Sequence, residues 1–348
     1  MSANWDDLPM EMKLEVCRYM EKEDRASFAQ CSCTCFVQML QVERDIQHLS
    51  VYQNEIDTYF MLGVNGVSLS FEQYGLQVIV RKDSKLFAKW EIDAKVLVFD
   101  LFAKILSNCR NSVAFIKIHA SDFSTANLRV DLFPKLMSLE ICSENRQQIY
   151  WFLSRSLNIV NLNVNFKEME EESDTELLFN PPEFKILMIS EVELKSNDAE
   201  VMLAIISRIS DAEVFEEFHI SISDEKFDGP DENLLEVFKK SQALNLDLKI
   251  SIEQIYELLA TPKINAIKFK NMATSTIADV ILKCSAEKYR KRLCFKNVVG
   301  DLMEHGERLG LYQDYFQEGS ENYMFYLPNT QGLYNTRTNS VSVQFEPF

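Results

Sequence analysis

Histidine and glycine are scarce in this chain, and long apolar runs are missing. The four histidines, at positions 48, 119, 219 and 305, stand far apart and match no metal-ligand spacing. HExxH and GxSxG do not occur. The nine glycines form neither GxGxxG nor a P-loop, which excludes the usual phosphate cradle. The longest apolar stretches, such as 201–206, fall far short of the roughly 20 residues a membrane-spanning helix requires. No leader with a basic start and an apolar core is visible, and there is no Asn-x-Ser/Thr sequon. Eight cysteines without framework spacing suit reduced thiols. The expectation is a soluble protein of the cytoplasm, the nucleus or both, not secreted and not bound to a membrane.

What is present is apolar and acidic. The chain has 348 residues, 47% of them hydrophobic, which is ample for a packed core and suits a small module plus a larger one. A net charge of −17 argues against a nucleic-acid partner, because phosphate binding needs clustered Lys and Arg. The short basic run of Lys288, Arg290, Lys291 and Arg292 reads as a solvated loop, as does the acidic run at 167–176.

The first forty residues read as short helices. Pro9 fits the first position of a helix and Glu11 its first turn, where the helix dipole favours a carboxylate. Met12, Val16, Cys17 and Met20 recur at helical spacing and form one apolar stripe. Asp24 is a natural cap for a second helix carrying Ala26, Phe28 and Ala29, and Ser32 for a third through Phe36, Val37, Met39 and Leu40. Helices this short cannot bury all their apolar surface alone, so part of it is expected to meet another protein. Cys31, Cys33 and Cys35 stand in a CxCxC spacing that does not suit zinc, and they read as small packed residues.

Trp5, Leu8-Pro9, Glu11, Val16, Met20, Asp24, Phe28 and Cys31-Ser32 together resemble an F-box, in the variant expanded in nematodes, over about the first 45 residues. Met20, Gln30, Cys33 and Cys35-Phe36 depart from its common pattern. The resemblance implies docking on a Skp1-type adaptor, and through it a cullin, by Trp5, Leu8, Pro9, Glu11, Val16, Met20 and Phe28.

From 46 to 94 the apolar period changes to two. Val67, Leu69 and Phe71, then Leu76, Val78 and Val80, predict a small antiparallel hairpin linking two modules. Beyond residue 95 strand and helix patterns alternate. Strand cores are expected near Phe115, Met137, Val160, Phe184, Val214, Leu244, Ile264 and Arg292, with helices over 98–109, 146–157, 198–208, 233–240, 252–259 and 275–284. Polar and apolar residues alternate along these strands, so one sheet face is expected to be wet and helices to cover the other, unlike a doubly wound sheet. Tyr323–Leu327 and 341–345 read as capping strands.

The predicted architecture is an α+β, α/β-repeat chain. It comprises an F-box-like helical module (1–45), a β-hairpin linker (46–94) and an irregular leucine-rich-repeat-like solenoid with a β cap (95–348). The last resembles the FTH domain that follows the nematode F-box. The wet face would carry Lys117, His119, Glu140, Asn163, Asn165, His219, Asp247, Lys249, Lys268 and Lys270 and hold a protein substrate. The resemblance implies a non-catalytic substrate-recognition subunit of an SCF-type ubiquitin ligase, with no cofactor and no metal. Two alternatives stand beside it: an interaction scaffold that never meets an adaptor, and a hydrolase pairing Cys109 or Cys142 with His119.

Overall fold

The computed structural model describes residues 5, 8–29, 35, 38–39, 46–53, 58–64, 67–74, 77–82, 84–91, 98–120, 125, 128, 130–156, 159–166, 190–210, 215–287, 289, 291–313, 322–328 and 330–345. The protein is mixed α/β. It divides into two compact units: residues 1–159 with 169–184, and residues 160–168 with 185–348. The expected strand near Phe184, the acidic run at 167–176, the CxCxC residues Cys31 and Cys33, and Lys288 and Arg290 lie outside the described residues. No described helix is long and apolar enough to cross a membrane.

The first unit opens with α1 (Met10–Tyr19) and α2 (Lys22–Ala29). Pro9 is the residue before the helix rather than its first turn. Its ψ of 148° is extended and its carbonyl accepts from Lys13 N at 3.1 Å. Asp24 lies inside α2, exposed, and does not cap it. The break between the helices is held instead by Arg25, whose guanidinium donates to the carbonyls of Met20 (2.9 Å) and Arg18 (3.0 Å) at the end of α1.

Five strands follow: β1 (Ile46–Gln53), β2 (Thr58–Val64), β3 (Val67–Tyr74), β4 (Gln77–Lys82) and β5 (Lys85–Glu91). They pair as an antiparallel meander in chain order. The predicted hairpin is β3–β4, but it is only the middle of this longer meander. After α3 (Val98–Cys109), β6 (Phe115–His119) pairs parallel with β1, and β7 (Ser138–Ser143) parallel with β6. The segment read as a linker is therefore built into the same sheet as the strands that follow it. α4 (Arg146–Ser154) starts at Asn145, whose side chain accepts from Gln148 N.

The second unit alternates strand and helix: β8 (Asn161–Phe166), β9 (Glu191–Ser196), α5 (Ala199–Ile209), β10 (Phe215–Ile222), α6 (Glu232–Lys239), β11 (Ser241–Asp247), α7 (Ile252–Ala260), β12 (Ala266–Lys270), α8 (Thr274–Glu287) and β13 (Arg292–Lys296). Strands β8 to β13 are all parallel and lie side by side in chain order, without the reversal that defines a doubly wound sheet. The helix starts are set by Asp198, Asp231 and Ser251, each accepting from backbone N–H groups of the first turn. Ser251 and Gln254 complete a reciprocal capping box. Asn271 and Asn297 leave β12 and β13 with φ of 57° and 50°, a left-handed step that asparagine tolerates.

Burial alternates along β8, β9, β12 and β13, and along β10 and β11 from Phe218 and Leu244 onward. Leu162, Val164, Val192, Leu194, Phe218, Ile220, Leu244, Leu246, Ile267, Phe269, Leu293 and Phe295 are sealed on one face. The apolar faces of α5 to α8 supply further buried residues, among them Ile205, Phe238, Leu258 and Ile281. β17 (Ser340–Phe345) then pairs antiparallel with β13, followed outward by β16 (Thr330–Asn335), β15 (Asn322–Leu327) and the two-residue β14 (Tyr312–Gln313).

Candidate functional site

Two surfaces carry the residues singled out by the sequence. The first is the outer side of α1. Met12, Val16 and Tyr19 follow one another at helical spacing and are exposed, Tyr19 to 81%. The predicted stripe divides here, because Cys17 turns inward and is fully buried while Met20 is half-buried. Burial, and then the neighbouring Cys35, push the Cys17 thiol up. Pro9 and Glu11 are exposed and Leu8 is half-buried. Trp5 and Phe28 do not share the stripe: their rings meet edge to face at 4.9 Å. The Trp5 indole nitrogen is buried with no hydrogen-bond partner among the described residues.

The second surface is, in each unit, the sheet face that no described helix covers. In the first unit it brings together Lys117, His119 and Glu140, as β6 and β7 lie side by side. One carboxylate oxygen of Glu140 meets Lys117 Nζ at 2.7 Å and His119 Nε2 at 2.9 Å. The Tyr52 ring from β1 completes the group, 5.3 Å from the His119 ring and 5.6 Å from the Lys117 ammonium. Burial acts to lower the Lys117 pKa, but the Glu140 carboxylate and Tyr52 together outweigh it and leave that pKa raised.

In the second unit the parallel register lays the polar positions out in three rows. The first row runs Asn161, Glu191, Glu217, Ala243, Ala266 and Arg292. The middle row runs Asn163, Glu193, His219, Asn245, Lys268 and Cys294. The third runs Asn165, Lys195, Ser221, Asp247, and then Lys270 beside Lys296. Acidic side chains gather on β9 and β10, and basic ones on β12 and β13.

Glu193 is the hub of the middle row. It accepts from Asn163 Nδ2 (2.7 Å), pairs with Lys195 Nζ (2.5 Å) and faces His219 Nδ1 (3.3 Å). Burial would raise its pKa, but Lys195, with His219 and Lys270, holds it below the usual carboxylate range. Burial lowers the His219 pKa; Glu193 opposes that shift, while Lys270, Lys195 and Lys268 add to it. Asp247 accepts from Ser221 Oγ (3.2 Å) and Asn271 Nδ2 (2.6 Å) and lies 3.5 Å from Lys270 Nζ. The Lys268 ammonium is pushed down by burial and by the adjacent Lys296. At the starts of the strands lies an open groove of about 600 Å³, lined by Glu191, Glu216 and Glu217 with the small Ala243 and Ala266 beside them.

Lys249 does not belong to this face. β11 ends at Asp247, and Lys249 sits in the following loop, donating to the Glu225 carbonyl at 2.9 Å. Sequence reading also missed Glu193 and Lys195, because their strand was not foreseen, and it missed Tyr52 and Lys296.

Of the thiols considered for catalysis, Cys109 is buried in the core and pushed up to about 12 by that burial. A thiol in that state is not a nucleophile near neutral pH. Cys142 stands directly across from His119 in the neighbouring strand, but His119 Nε2 is engaged with Glu140. Among the described residues no group of three or more His, Cys, Asp or Glu side chains is arranged to hold a metal ion.

The link between Glu193 and His219 has a measurable consequence. In a Glu193→Gln chain the one charge among the described residues that raises the His219 pKa is gone, so that pKa should fall further. A histidine whose folded pKa lies below its unfolded value contributes stability above the unfolded pKa, and that contribution is lost as pH falls through the folded pKa. The window of acid loss should therefore extend to lower pH in the variant. Imidazole resonances followed by NMR titration give the answer, and an unchanged or raised value would rule the link out.

Comparison with family models, with curated proteins and with solved structures found no match.

Proposed function

We propose that this chain is a substrate-recognition subunit of an SCF-type ubiquitin ligase. Residues 1–45 would act as an F-box docking on a Skp1-type adaptor and through it on a cullin. Residues 46–94 would lead from that module into the sheet that β1 shares with β6, and residues 95–348, an FTH-like array of leucine-rich-repeat-like strand–helix repeats, would receive a protein substrate in the cytoplasm or nucleus. The reading is carried by one observation: the Leu8-Pro9-x-Glu11 opening stands at the head of a short helix whose Met12, Val16 and Tyr19 side chains are apolar and exposed. An exposed apolar stripe on a small helical module is what a partner would cover.

The chain would make and break no bonds itself. Its contribution is to hold a target lysine near an activated ubiquitin carrier brought by its partners, turning a bimolecular encounter into a positioned one. The open sheet face supports the receptor half of the reading, since its polar side chains form a broad recognition surface.

Co-expression with a Skp1-type adaptor tests the proposal. The two should co-purify, and Leu8→Ala with Pro9→Ala should weaken the complex by about 2 kcal/mol or more, roughly thirtyfold, if the pair is a central anchor. Since Pro9 is exposed and precedes the helix, the chain should still fold. Absent adaptor binding favours the scaffold, and binding untouched by the double substitution overturns the assignment of the Leu8-Pro9 pair as the docking anchor.

A further inference from the structure

Charges on the open face of the second unit fall into two classes. Glu193 and Lys195, two residues apart on β9, and Asp247 and Lys270, on β11 and β12, neutralise each other. Glu191, Glu216 and Glu217 in the groove have no ion-pair partner among the described residues. Nor do Lys268 and Lys296, on the strands at the other side of the face, where Lys296 lies beside Lys270 and, of these lysines, only Lys270 meets Asp247 among the described residues. Burial and mutual repulsion already penalise the Lys268 ammonium. An opposite charge delivered from outside would relieve both ends at once.

The shape of each end narrows the occupant. The methyl side chains of Ala243 and Ala266 leave room beside the groove carboxylates for the long aliphatic stem of a lysine or arginine. Beside Lys268 and Lys296, the antiparallel β17 places Ser342 across from Cys294 and Ser340 across from Lys296. Hydroxyls next to ammonium groups suit a carboxylate, which can accept from both. Strand spacing sets the distance between the ends. Glu217 and Lys268 lie two strands and two residues apart, about 12 Å, and Glu191 and Lys296 four strands and four residues apart, about 23 Å. An extended chain advances about 3.3 Å per residue, so the two ends are about four to seven residues apart.

We infer that this face binds an extended segment of a partner protein that sets a lysine or arginine in the groove of Glu191, Glu216 and Glu217 and an aspartate or glutamate, about four to seven residues away, against Lys268 and Lys296. The inference deepens the receptor reading and rests on it only for calling the occupant a substrate.

The test uses the full chain and fluorescein-labelled synthetic peptides in a serine–alanine–valine host. One peptide carries a Lys-Arg pair and a Glu-Glu pair about five residues apart; two controls carry only the basic or only the acidic pair. The bipolar peptide should bind about tenfold or more tightly than either control, and added salt should weaken it. Glu191→Gln with Glu217→Gln should abolish the advantage conferred by the basic pair. Lys268→Gln with Lys296→Gln should abolish that conferred by the acidic pair. Far-UV circular dichroism confirms that each variant is folded. Equal binding of the three peptides, no binding of the bipolar peptide at about millimolar concentration, or folded variants that bind like the parent each overturn the inference. Adaptor capture measured on the same preparations separates the two ideas. Capture without peptide preference overturns this inference alone, and peptide preference without capture overturns the ligase reading alone.

Discussion

A Phe269→Ala chain should lose on the order of 4 kcal/mol of stability. Phe269 is 1% exposed and its ring stacks on Phe295 at 5.5 Å, joining β12 to β13 beneath the helices. Truncation removes the transfer energy of the ring and leaves a void, because the fully buried Ile277 and Ile281 of α8 and Leu258 and Leu259 of α7 belong to helices fixed by their own packing. A thermal melt followed by far-UV circular dichroism should show a fall in midpoint on the order of 10 °C. A loss under about 1 kcal/mol would mean that this pair is not part of a close-packed core. The polar face lies on the other side of the same strand, so any peptide binding should weaken only as far as the fold does.

Gly332→Ala should cost nearly as much for the opposite reason. Gly332 in β16 lies directly across from Phe325 in β15, and the Phe325 ring rests on it. A Cβ added there would come within 2.0 Å of Phe325 Cζ, with two more ring atoms at 2.4 and 2.6 Å. Phe325 is fully buried, so the ring must leave its site and forfeit much of its burial, about 3 kcal/mol. Pairing the substitution with Phe325→Leu should recover part of that loss in the melting temperature. If the single variant melts like the parent, the close approach is not a constraint.

Helices α5, α6 and α7 were legible in the sequence because each combines a cap with an apolar face: Asp198 announces α5, Asp231 α6, and Ser251 with Gln254 α7. The alternation of strand residues likewise foretold which face is sealed. Strand β9 was not foreseen, since Val192 and Leu194 are its only apolar residues and a stronger apolar run precedes Ser190. The early cap failed at Asp24, where the helix had already begun at Lys22.

The face was harder to read than the core. Which polar residues meet depends on the register of strands some 20 to 30 positions apart: Glu193 reaches Asn163 thirty residues back and also His219 in the next strand. No local pattern encodes that. A single missed strand therefore removed the hub of the middle row from view while leaving most of the helices correctly placed.

Strands β8 to β13 lie side by side in chain order, so each new strand needs only the one before it as a template. Such an array can assemble progressively as the chain emerges during synthesis, without a search for distant partners. Its exposed stage comes late. Until Ser340–Phe345 arrives to pair with β13, the backbone donors and acceptors along that edge stand open to any other strand. Premature termination within the last ten residues would remove that cover while sparing most of the core, leaving a chain prone to edge-to-edge aggregation.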